Sequence, residues 1–120
     1  MDIKKQTEFL SYLESQAALC RAGSGALSAD GRYDEAVFAK VRLNVYDIFR
    51  TVFSAAVNTA GEDAAAFFRE KLRQIPANWV TALAAAEQHG HSEKAHIERL
   101  KLEIAGAVRA KFQELWGDAE

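Results

Sequence analysis

Every histidine of the chain falls within eight consecutive positions, His89, His91 and His96, with Glu93 among them and Glu87 two residues before. Imidazole suits borderline ions, so Zn²⁺ or Ni²⁺ is the guest such a cluster would take. The spacing works against it. His91 precedes Ser92, a residue suited to capping a helix, whereas His96 lies inside that helix, so the rings lack the i, i+4 register that aims a pair at one ion. Glu93 and His96 make one E-x-x-H step, and a di-iron carboxylate bundle uses that step twice with two further glutamates. His89, His91 and His96 are therefore weak metal candidates in what reads as a solvated turn between helices. No cofactor is expected.

Arg42 is the second feature with chemical potential. At about 100° per helical residue it falls between Phe38, Phe49 and Phe53, inside an apolar arc where a charge needs a partner. It would either bind an anion in a pocket with Tyr46, or stack on the rings and pair with an acid, within the chain or across an interface. The pairing role is favoured, which makes Phe38, Arg42, Phe49 and Phe53 the candidate interface residues. Asn44 and Asp47 flank the same helix, with Asn44 bordering Val41 and Ile48; a polar residue at such a seam sets register more often than it catalyses. Trp79 and Trp116 read as core or interface aromatics.

Cys20 is the single cysteine, so an internal disulfide is excluded, and its place in an apolar stripe marks it as a small buried hydrophobe. Arg69, Lys71 and Arg73, with Glu70 among them, read as a solvated helix face. The G-x-S-x-G, Walker, H-E-x-x-H and dinucleotide motifs are missing, and the chain is not expected to be an enzyme.

These residues must be positioned by helices. Alanine occurs 23 times against 16 for Val, Ile and Thr together, with one proline, a balance that favours helix over strand. Asp2 caps a first helix whose apolar residues Ile3, Phe9, Leu10, Leu13, Ala17 and Cys20 recur at helical spacing on one face, with Gly23 as its stop and a turn from Gly23 to Gly31. Residues 32–59 form the second helix, with Val37, Val41, Val45, Ile48 and Val52 in one stripe and Phe38, Phe49 and Phe53 in another. Together they span roughly 200°, wider than the roughly 100° face of an ordinary surface helix. A third helix starts at Glu62 and Asp63 and is interrupted near Pro76, and Ser92 caps a last one ending at Trp116 and Gly117. The fragment from Ala29 to Ala36 resembles the inter-helix turn of a tetratricopeptide repeat; it occurs once without the period of about 34 residues, so the resemblance implies a turn and nothing more.

The fold expected is all-α, an antiparallel up-down bundle of about four helices forming one domain over residues 1–120. A net charge of −2 and a pI near 5.9 leave no long-range attraction for phosphate, so no nucleic-acid partner is expected. No segment reaches the roughly 18 apolar residues of a membrane span, and a cytoplasmic location is the expectation. The functional expectation is a non-enzymatic helical module acting through homodimerisation or a partner helix at its second helix. A small-ligand or metal-binding sensor is the alternative, using the space around Arg42, Trp79 and Tyr46 or the histidine turn.

Overall fold

The computed structural model describes residues 1–117. Four long helices account for nearly all of them: α1 (Ile3–Ala29), α2 (Tyr33–Ala60), α3 (Ala64–Gln88) and α4 (Ser92–Trp116). A single 3₁₀ turn, Gly61–Asp63, joins α2 to α3. There is no strand among the described residues.

Successive helices run antiparallel, as contacts between distant residues establish. Phe9 meets Phe53 at 4.8 Å between ring centroids while Ser24 reaches Ala36 on the same pair of helices. Arg99 pairs with Glu87 and Arg109 with Leu72 across α3 and α4. Lys111 closes the circle by bridging to Glu8 on α1 at 3.0 Å. The cross-section is a flattened rhombus in which α2 touches every other helix, while the α1 and α3 backbones stay apart. Extents of 45 × 34 × 22 Å and a radius of gyration of 15.6 Å exceed the roughly 13 to 14 Å of a compact chain this size. The molecule is elongated, as the length of α2 requires.

Apolar spacing along each helix decides where the core sits. Phe9, Phe53, Phe68 and Phe112, one from each helix, meet at the end of the bundle that holds the α2–α3 connection. Their contacts are mostly edge-to-face, the arrangement that the quadrupole of an aromatic ring favours. Val45, Phe49, Leu72, Ile104 and Val108 continue the core upward. At the opposite end Ala36, Ala39, Ala86 and Ala95 are buried together with Ser24, and no phenylalanine is fully enclosed there.

Two helix stops share one design. Gly31 (φ 78°) and Gly90 (φ 71°) adopt the left-handed region, and in each the next N–H returns to a carbonyl five residues back: Arg32 to Leu27 at 2.8 Å, His91 to Ala86 at 2.8 Å. This is the Schellman pattern, which glycine permits without a Cβ clash. Both stops lie at the alanine end.

Three boundaries differ from the sequence reading. Gly23 does not stop α1, which continues through Gly25 to Ala29. That last stretch pairs with the start of α2, where the buried Ser24 hydroxyl donates to the Ala36 carbonyl at 3.2 Å, and tertiary pairing outweighs the low helix propensity of two glycines. Pro76 does not interrupt α3. Proline has no N–H for the carbonyl four residues earlier, that of Leu72, and the Arg109 guanidinium on α4 donates to this oxygen instead at 3.3 Å. Ser92 is the first residue of α4 rather than its cap; His91 holds the cap position without a side-chain bond. Asp2 does cap α1, its carboxylate accepting from the Lys5 N–H at 3.1 Å.

Candidate functional site

The broad apolar arc of α2 is divided by its neighbours into a covered half and an open one. Phe49 and Phe53 are 0% exposed, enclosed by α1, α3 and α4 of the same chain, so these two expected interface residues belong to the core. The physical reason is geometric: the centre of the arc points along the short diagonal of the rhombus, where three helices converge. Phe38 is half-buried and packs edge-on to His96 at 4.6 Å.

The opposite flank of α2 faces outward. Val37 is 49% exposed and Ile48 38%, with half-buried Val41 and exposed Asn44 between them. Beside this stripe, Val41, Asn44, Val45 and Ile48 of α2 join Trp79 of α3 and Lys101 of α4 around a depression of about 210 Å³. Trp79 is held from behind by Phe49, ring centroids 6.2 Å apart, and the Lys101 ammonium sits 5.9 Å from its ring centroid. Lys101 also pairs at 3.1 Å with Glu98, which is 4% exposed and keeps its second carboxylate oxygen buried without a partner. An aromatic wall, a row of branched aliphatics and a rim of amide and ammonium groups make a surface suited to packing another helix rather than to bond chemistry.

Arg42 lies on a different side of α2, half-buried against α1, close enough to Cys20 and Tyr46 to bias both. It has no carboxylate partner among the described residues, where a buried pair is expected to supply an acid. Burial, together with neighbouring Tyr12, pushes the Tyr46 phenol well above its ordinary 10.0, with Arg42 pulling weakly the other way. Burial likewise raises the Cys20 thiol, a shift toward the unreactive protonated form. Trp79 and Arg42, proposed together as walls of one ligand space, are separated by α2 itself.

The histidines do not converge. His89 and His91 sit on the exposed turn with ring centroids 6.0 Å apart, while His96 is turned to Phe38. Among the described residues there is no group of three or more His, Cys, Asp or Glu side chains placed to hold a metal ion. The turn owes its geometry to Gly90, not to ligation.

One feature had no signal in the sequence reading. A depression of about 470 Å³ runs between α3 and α4, floored by Ala77, Ala105 and Gly106 and bordered by Arg73 and Arg109. It exists because Pro76 and three small residues leave no side chains to fill the space between the helices, a coincidence of positions 29 residues apart that helical periodicity alone does not reveal.

Comparison of the chain with protein-family models, curated proteins and solved structures finds no match. No described helix is long and apolar enough to cross a membrane.

Proposed function

We propose that the protein is a non-enzymatic helical module that works through helix-on-helix association along the open flank of α2. The observation that carries this reading is the row of exposed Val37, half-buried Val41 and exposed Ile48 beside Trp79, on a helix whose Phe49 and Phe53 are enclosed. Exposed branched aliphatics in a line, backed by a rigid aromatic and edged by polar groups, have the composition of an interface core and rim.

Light scattering across a concentration series from micromolar to millimolar tests it. The expected result is a mass that rises from that of one chain toward that of two, and that stays at one chain in the Val37→Glu, Ile48→Glu variant. A mass fixed at one chain throughout removes self-association. A small-ligand sensor remains the second reading, now centred on the α3–α4 depression with its arginine border. A thermal-shift screen of organic anions tests that one, and a flat screen removes it.

A further inference from the structure

Arg73, Pro76 and Val80 follow one another at intervals of three and four on α3, and Leu102, Gly106 and Arg109 at four and three on α4. Each set occupies one helical face, and both faces line the same slot. Because the two helices are antiparallel, Arg73 and Arg109 arrive at one end on opposite walls, and Val80 and Leu102 at the other. A second depression of about 370 Å³, also bordered by both arginines, continues the trough to Arg69, Glu70 and Gln113. Resting on the second reading, in which this depression takes a small ligand, we infer that the ligand is a single-chain amphiphile with an anionic head. Its class is an alkyl carboxylate of medium length, the head between Arg73 and Arg109 and the tail along Ala77 and Gly106.

Charge selects the head. The two depressions hold three guanidiniums against one carboxylate, a positive end on a chain whose net charge is −2. That carboxylate, Glu70, is engaged by Arg73, whose Nε donates to it at 3.1 Å. Arg109 has no carboxylate partner among the described residues; it gives one N–H to the Leu72 carbonyl at 3.3 Å and keeps its other donors for a guest. A carboxylate head accepts from such guanidiniums through both of its oxygens.

The floor selects the tail. Ala77, Ala105 and Gly106 raise no side chain longer than a methyl, and Val80 and Leu102 are the large apolar groups of the slot. A docking helix is about 10 Å across and needs rows of large side chains to interdigitate with, whereas an alkyl chain is thin and asks only for apolar surface. From Arg73 to Val80 the slot runs about 10 Å at 1.5 Å per residue. Its volume of about 470 Å³ is that of a small-molecule site. Being concave, it admits a chain into the protein; a membrane surface would instead call for an apolar face that projects into lipid.

A titration followed by amide ¹H–¹⁵N shifts at constant ionic strength tests the assignment, with butanoate, hexanoate and octanoate below their micelle concentrations, and succinate and octylammonium as controls. Saturable shifts are expected at Ala77, Ala105 and Gly106. Affinity should rise about twofold for each added methylene, half in free energy of what full burial gives, and octylammonium should not compete. Gly106→Leu fills the slot at a helical position where a Cβ meets nothing within 4 Å, so the fold should survive while octanoate binding falls at least about tenfold. Arg73→Gln should weaken octanoate about fivefold, and Glu70→Gln, which releases Arg73, should tighten it about threefold. Succinate binding as well as octanoate, with no dependence on chain length, overturns the amphiphile and leaves a sensor of organic anions standing. The absence of saturable shifts with every anion overturns both. Octylammonium competing equally, or Gly106→Leu binding octanoate undiminished, overturns the assigned slot. Cosedimentation with anionic phospholipid vesicles without a saturable octanoate shift would give the trough to a membrane surface and likewise overturn the single-chain ligand.

Discussion

The two ends of the bundle are built on different principles. At the end holding the α2–α3 connection, four phenylalanines, one per helix, interlock with ring centroids 4.8 to 5.8 Å apart, and every helix depends on the other three. At the other end two hairpins, each closed by a left-handed glycine, meet through alanines and the Phe38–His96 contact. Aromatic packing couples helices that are far apart in sequence, whereas small side chains couple mainly those that are adjacent. The open stripe of α2 begins at the alanine end, where fewer large side chains are available to cover it.

The sharpest way to break this contrast is truncation. Phe68→Ala should cost about 3 to 5 kcal/mol, because a fully enclosed ring leaves a cavity bounded by three other helices. Leu27→Ala at the hairpin end, where the side chain is half-buried, should cost about 1 to 2 kcal/mol. Chemical denaturation measures both, and equal losses would deny that the ends differ.

Glycines at the hairpin end give opposite signs. Gly31→Ala and Gly90→Ala should each destabilise by about 1 to 2 kcal/mol, since an L side chain is strained at positive φ. Gly23→Ala should instead raise stability by about 0.5 to 1 kcal/mol, because its backbone is helical and a Cβ there would meet open space. Thermal melts of the three variants decide whether the stops lie where the structure puts them.

Arg109→Ala should cost about 1 kcal/mol by orphaning the Leu72 carbonyl, and most of that loss should vanish when Pro76→Ala restores the missing N–H. A double-mutant cycle with no coupling would show that the guanidinium contact does not matter.

Tyr46 adds a pH signature. Its folded phenol is raised, so the folded state keeps a proton that the unfolded chain releases above the ordinary value of 10.0, and stability must fall as pH climbs beyond that point. Tyr46→Phe should flatten the alkaline limb of a stability–pH profile while leaving it unchanged at pH 7 to 9. The smallest effect is expected from Arg42→Leu, within about 0.5 kcal/mol or slightly stabilising, because a half-buried charge without an acid partner contributes little. A loss above 2 kcal/mol would mean that Arg42 has a partner after all.

The helices were legible because their apolar residues recur at 3.6-residue intervals, and α2 was read to within one residue of its observed start and end. The misreadings came from local residues whose fate is set at a distance. Gly23 looked like a stop because nothing nearby reveals Ser24 bonding to Ala36, and Pro76 looked like a break because its remedy, Arg109, is 33 positions away. The candidate site was legible in the same proportion. A wheel projection shows the wide apolar arc of α2 with Asn44 at its border, yet it cannot say which flank the other helices cover, so it puts Phe49 and Phe53 at an interface when they are innermost. Trp79 and Lys101 join the stripe only through tertiary packing.

The bond from Arg109 to the carbonyl freed by Pro76 binds the integrity of one rod to the presence of another. Should α4 detach, α3 would be left with a gap in its backbone ladder at mid-length, a point where it could flex or fray. The second hairpin is thus wired to melt as a unit, and its weakest joint is protected only while the assembly around it is whole.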